Sequence, residues 1–296
     1  MAEARRRWRL GHVVEALGAR LLFGCFARLP LDRASALGGW LARRIGPRLG
    51  ASKRAGLNLR RAMPELRDDE IRRIIVGMWD NLGRVVAEYP HLREIEIFAP
   101  QGRVETVGTD AYLKHHAGDR PHIFFSAHYG NWEVAALAAS QGGHEVAQIY
   151  RAANNPFIDR IVNDARGAVG GELIPKGLVA GRRAVAAIRG GQALCLLVDQ
   201  KMNDGIAVPF FGRDAMTAPA LARLARRFDC VVVPARVERL GGAHFRLTCE
   251  APLVVPHTAD AHADTLALMT AVNATVERWV RADPAQWFWL HRRWPD

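Results

Sequence analysis

The chain of 296 residues has four cysteines and no C-x-x-C pair among them, so neither a disulfide frame nor a cysteine zinc site is built into it. Cys25, Cys195, Cys230 and Cys249 are scattered and read as small buried side chains of a reducing compartment. No P-loop or G-x-G-x-x-G follows a strand-like run, which removes the usual nucleotide cradles. H-E-x-x-H is missing, and His122, His128 and His144 show no other ligand spacing, so no metal and no cofactor is expected. G-x-S-x-G is missing as well, and with it the strained elbow of a serine hydrolase. There is no internal repeat and no low-complexity linker. Helix-turn-helix, zinc-finger and RNP patterns do not occur, and aromatics do not alternate with basic residues, so nucleic acid is not an expected partner.

What is present is an ordinary globular composition, 49% hydrophobic and 24% charged, in a chain long enough for a sizeable core. The charge is distributed unevenly. Residues 1–61 hold 14 basic and 3 acidic side chains, while the remaining 235 residues hold 27 of each, so the whole net charge of +11 sits on the N-terminal fifth. A basic docking segment attached to a neutral body has this pattern. Residues 1–31 open on Arg5–Arg7 and Trp8 and then turn apolar through Leu10, Val13, Val14, Leu17, Leu21, Phe23 and Leu29. Glu15, Arg20 and Arg28 interrupt that run, against a secretory signal and against the roughly 18 apolar residues of a spanning helix. The segment reads as a basic amphipathic anchor on an anionic membrane surface; a spanning helix and a helix packed on the protein's own core are the alternatives.

Residues 32–98 read helical, with Asp32 as a possible cap and a long amphipathic stretch over 66–88. From 99 to 296 short β-rich runs alternate with helix-like segments: "HIFFSA", "EVAQIY", "GELIP", "ALCLLVD", "CVVVPARVE" and "HFRLTCEAPLV", with a last helix over about 260–282. The apolar runs lack strict alternation, as strands buried on both faces do. The expectation is an α/β domain with a mostly parallel central sheet, flanked by helices and preceded by a helical, membrane-associating extension.

In such sheets, reactive groups gather where strands end and helices begin. His128 stands there, after "HIFFSA", with Asn131 able to cap the following helix and Glu133 in its first turn. A turn at Tyr129–Gly130 could fold Glu133 back on the imidazole, fixing its tautomer and making the other nitrogen a base. Ser126 lies inside the strand run, so the pair has no evident protein nucleophile and would act on a substrate hydroxyl. A capped helix carrying a surface histidine accounts for the same residues.

The stretch "HYGNWE" after an apolar strand resembles the H-x4-D/E motif of glycerolipid-type acyltransferases, and its Gly-Asn-Trp-Glu form resembles the late acyltransferases of lipid A biosynthesis. "NLRRAMPEL", "YRAANNPFIDRI", "LLVDQ", "VPFFGRDAMTAPALARLARRFDCVVVPARVER" and "PAQWFWLHRRW" follow that family in order, from about residue 50 to the C-terminus. The resemblance implies transfer of a fatty acyl chain from an acyl carrier protein thioester to a hydroxyl of a lipid A precursor, on the cytoplasmic face of the inner membrane. By that analogy His128 is the general base, Glu133 its partner, and Arg151, Asn131 and Arg213 hold substrate or the developing oxyanion, with Asp199 behind them. No acyl-enzyme and no metal is implied. The aromatic-basic end, Trp287 to Trp294, reads as a membrane-level belt, a lid near the site, or plain packing. Another glycolipid acceptor of the phosphatidylinositol mannoside type with acyl-CoA, or a non-catalytic membrane-binding protein of this fold, also fits these residues.

Overall fold

A computed structural model describes residues 10–109 and 120–294. Four helices come first, α1 (Leu10–Phe26), α2 (Leu31–Ile45), α3 (Gly50–Ala62) and α4 (Asp68–Glu88). A seven-stranded sheet follows, made of β1 (Val104–Val107), β2 (His122–Ser126), β3 (Val146–Tyr150), β4 (Glu172–Pro175), β5 (Ala193–Leu197), β8 (Val231–Gly241) and β9 (His244–Cys249). The spatial order is β1-β9-β8-β2-β5-β3-β4, parallel throughout except for the β8–β9 hairpin. Helices α5 (Glu133–Gln141), α6 (Pro156–Arg166) and α7 (Ala180–Arg189) make the crossovers between parallel strands. A separate antiparallel hairpin, β6 (Ile206–Phe210) with β7 (Arg213–Thr217), precedes α8 (Ala220–Phe228), and α9 (Ala261–Ala282) leads to the C-terminal segment.

The sheet explains the unbroken apolar runs, since each central strand is buried on both faces. Ile123 and Phe125 of β2 join Leu194, Val232 and the α9 residues Met269, Val272 and Trp279 in one core. Phe124, Cys195, Val146 and Val233 point the other way, into a second core with Val134–Ala139 of α5 and with Tyr89 and Leu92. Helix α5 is nearly all small apolar residues, which lets it lie close over the sheet.

Among the described residues no helix is long and apolar enough to cross a membrane. Arg5–Arg7 and Trp8 of the expected anchor lie outside the described residues. In α1, Val14, Leu17 and Leu21 are 67%, 57% and 72% exposed along one stripe. The opposite side is tied down, with Asn155 donating to the His12 carbonyl (2.8 Å) and to Glu15 (3.0 Å) and with Phe23 against the Tyr89 ring. Asp32 does not cap α2, which begins one residue earlier, after Pro30; its carboxylate instead takes a two-pronged bond from Arg103 at 2.7 and 2.8 Å.

Candidate active site

The loop after β2 is shaped by one backbone position. Gly130 has φ +56°, and a Cβ there would sit 2.1 Å from the Val237 carbonyl oxygen, so only glycine fits. The C-terminal segment crosses this loop as a strap: Tyr129 bridges Trp287, Phe288 N–H donates to the His128 carbonyl (3.0 Å), and Gly130 N–H donates to that of Gln286 (3.1 Å). Trp287, Trp289 and Arg293 are fully buried beneath it. Of the readings open for this end, packing over the site is the one observed; these rings do not form a membrane-level belt.

The carboxylate that reaches His128 comes from another strand. β2 and β5 run side by side with Ser126 opposite Leu197, and the ladder continues through Val198 N–H to the Ser126 carbonyl, so Asp199 emerges beside His128. Asp199 Oδ1 accepts from His128 Nδ1 at 2.8 Å, and Oδ2 accepts from the His128 backbone N–H (2.9 Å) and from Trp287 Nε1 (2.8 Å). His291 Nε2 lies 3.8 Å from the same oxygen. Burial alone would push the Asp199 carboxyl up, but His128 and His291 beside it hold it well below the usual carboxylate range. A carboxylate accepting from Nδ1–H leaves Nε2 with its lone pair, so the imidazole is set up as a base through Nε2. Gln200 Nε2 approaches that nitrogen at 3.5 Å.

Glu133 takes a different partner from the one expected. Its buried carboxylate accepts from Tyr89 Oη (2.7 Å), from Trp132 Nε1 (3.0 Å) and from Arg166 Nε and Nη2 (3.1 and 2.7 Å). The cause is the start of α5, where the first turn aims Glu133 at α6 and the end of α4. Burial raises its carboxyl, and the Arg166 guanidinium more than reverses this, so it stays ionised; His128 adds a smaller pull in the same direction. Desolvation and the Glu133 charge push the Tyr89 hydroxyl far above its ordinary value, which keeps it a donor.

Asn131 is 99% buried and turned inward, donating to Glu88 (2.8 Å) while its Oδ1 accepts from the Glu133 N–H (3.2 Å). Glu88 is held in turn by Arg239 and Ser35. Asn131 therefore fixes the loop and the start of α5 and does not line the cavity. Arg213 also lies elsewhere, with its guanidinium 5.8 Å from the Trp294 ring, and does not line the cavity at His128. Arg151, by contrast, is exposed at that cavity's edge, and Lys176 after β4 stands with it.

The cavity is a trough between α5 and the sheet, walled by Phe124, Ser126, Ala135, Ala136, Gln148 and Leu197, with His128 at its open end. Cys195 also lines it, but burial pushes that thiol up to about 12, so it offers no thiolate. Ser126 Oγ has no hydrogen-bond partner and no base against it, so the activated serine of a triad is not formed. His128, Asp199 and His291 bring possible metal ligands within 4.8 Å of one another. The Asp199 oxygens, however, already accept three N–H groups, and the 2.8 Å separation from Nδ1 is that of a hydrogen bond. Tyr89, Arg166 and Lys176 went unread in the sequence; Tyr89 and Arg166 lie 44 and 33 positions from Glu133, and no local pattern marks them.

The family profile described as bacterial lipid A biosynthesis acyltransferase matches residues 4–296. The lipid A biosynthesis myristoyltransferase of Escherichia coli (strain K12) is 27% identical over 256 residues, covering 83% of this chain and 76% of that protein. The lipid A biosynthesis lauroyltransferase of the same organism is 26% identical over 246 residues, covering 80% and 76%. Lipid A biosynthesis acyltransferase 2 of Shigella flexneri is 27% identical over 248 residues, covering 81% and 76%.

Proposed function

The chain belongs to the bacterial lipid A biosynthesis acyltransferase family and is an acyltransferase, and on that premise we propose that His128 Nε2 takes the proton from a hydroxyl of a lipid A precursor. The observation that carries this reading is the closed bond between Asp199 and His128 Nδ1 beside a trough walled by both apolar and polar side chains. The freed alkoxide attacks the carbonyl carbon of an acyl carrier protein thioester; the C–S bond breaks, an ester forms, and the proton held on His128 goes to the departing thiolate. Asp199 stabilises the transient imidazolium, as a buried carboxylate on Nδ1 does. No protein nucleophile is required.

In this reading Glu133 acts at one remove. Its ion pair with Arg166 braces the first turn of α5, which forms one wall of the trough. Arg151 and Lys176 supply positive charge at the entrance, suited to a phosphate of donor or acceptor or to the developing oxyanion. The exposed stripe Val14, Leu17 and Leu21, and a second one on α2 made of Arg33, Leu37, Trp40 and Arg44, pair apolar surface with arginines. They support peripheral seating on the anionic cytoplasmic face of the inner membrane.

The test is transfer in vitro. Acyl carrier proteins loaded with chains of graded length are offered with a tetra-acylated precursor, and products are read by mass. A gain of one acyl chain, abolished by His128→Ala in a protein that still folds, is expected. No gain with any donor, beside a working control enzyme, contradicts the assignment. Free fatty acid released without acceptor would mark a hydrolase instead.

A further inference from the structure

The trough contains two polar groups that the transfer reaction does not use. Phe124 lies opposite Cys195, and Cys195 opposite Gln148, while Ser126 lies opposite Leu197. These residues therefore project from one face of the sheet, the face that α5 covers with Ala135 and Ala136. Ser126 is 3% exposed and Gln148 8%, and neither Ser126 Oγ nor the Gln148 carboxamide nitrogen has a hydrogen-bond partner. Buried polar atoms are almost always paired, so two unpaired ones in one cavity point to a ligand. Behind them Phe124, Ala135 and Ala235 also wall a second, almost wholly apolar cavity that ends at Phe98, Gly142 and His144. From His128 inward the trough thus runs past Ser126 and Gln148 to the side chains it shares with that apolar cavity.

We propose that Ser126 reads an oxygen near the thioester end of the acyl chain held in this trough, with Gln148 placed to meet an oxygen farther along it, so that the preferred chain is a hydroxyacyl group. The proposal rests on the acyl-transfer reading for its substrate, but its chemistry is separate. An alcohol near the thioester can donate to, or accept from, the Ser126 hydroxyl, and one farther along the chain can accept from the Gln148 N–H. A plain chain would leave both groups buried and unpaired. Sites built to bond a substrate hydroxyl reject the analogue lacking it strongly, by up to about 10⁴-fold in the best cases. Ser126 stands two residues before His128, so the oxygen it meets is near the thioester end of the chain. Gln148 lies deeper by about two strand residues, roughly 7 Å along the sheet, and on β3, the far side of β5.

The experiment measures binding and needs no turnover. Dodecanoate, 2-hydroxydodecanoate and 3-hydroxydodecanoate are titrated calorimetrically into the full chain and into Ser126→Ala, Gln148→Leu and the double variant, each first checked for an unchanged melting temperature. At least about tenfold tighter binding of one hydroxy acid is expected, with the advantage lost in the double variant and the plain acid bound better there. Equal binding of all three acids, or a preference that survives the double substitution, overturns the proposal. If the hydroxy acid is preferred but no acyl carrier protein thioester, hydroxylated or plain, is transferred, the transfer reading fails and the oxygen-reading site stands.

Discussion

Two buried carboxylates flank the loop after β2, Asp199 from the end of β5 and Glu133 from the start of α5, and they are in opposite situations. Asp199 faces an imidazole and two further N–H donors, while Glu133 faces a guanidinium, a phenol and an indole. The first partner is an imidazole, which can accept and return a proton during a reaction; the second is a guanidinium, which cannot. A carboxylate on a histidine therefore tunes a base, and one on a buried arginine locks a piece of scaffold. The motif residue, Glu133, is the locked one, and the tuning residue arrives from a strand 71 positions away from His128.

The sharpest way to break this contrast is to remove the base. His128→Ala is expected to lower kcat by about 10²- to 10⁴-fold, the usual share of general-base catalysis, with little change in melting temperature. The Glu133 pair makes the opposite prediction. Arg166→Met leaves Glu133 charged and buried, at a cost of about 3–5 kcal/mol, seen as a lower denaturation midpoint. The double variant Glu133→Gln with Arg166→Met is expected to recover much of that stability, since it removes both charges together. Failure to recover would mean that the pair does more than brace the fold.

Smaller effects belong to the entrance. Arg151→Ala and Lys176→Ala are each expected to raise KM roughly tenfold, equivalent to about 1.4 kcal/mol, with kcat less affected if they bind a phosphate. A fall in kcat at constant KM would assign them to the oxyanion instead. The smallest effect is one of pH on stability. Burial pushes the His291 imidazole below its ordinary value. The unfolded chain therefore binds a proton first as pH falls past about 6.5, and stability declines on that side. His291→Gln should flatten this limb in denaturation curves taken between pH 7.5 and 5.5. The carboxyls of Asp199 and Glu133, both held low, add stability above about pH 4 that is lost in more acidic solution.

Most of the sheet could be read from the chain because its strands are buried on both faces and flanked by helical segments. Strands β2, β3, β4, β5 and β9 fall within the apolar runs that announce them, and β8 runs three residues past its own. β1 escaped notice because Val104 is its one buried residue, and the β6–β7 hairpin because Pro209, Asp214 and Arg213 break the strand pattern. His128 stood out by its place at a strand end. Its partner did not, because choosing Asp199 over Glu133 depends on which strands are neighbours, and β2 lies beside β5 only after three crossovers. The Arg166 and Tyr89 contacts of Glu133 likewise exist only once α4, α5 and α6 have packed.

In the proposed mechanism Asp199, and not Glu133, is the carboxylate that holds the imidazole acting as base. The direct measurement is kcat for transfer by Asp199→Asn and Glu133→Gln, each with its melting temperature. Asp199→Asn is predicted to lose kcat by about 10²-fold or more with a modest change in melting temperature, and Glu133→Gln to lose mainly stability. A Glu133→Gln enzyme that stays stable but loses turnover, beside an Asp199→Asn enzyme that keeps it, would contradict the account.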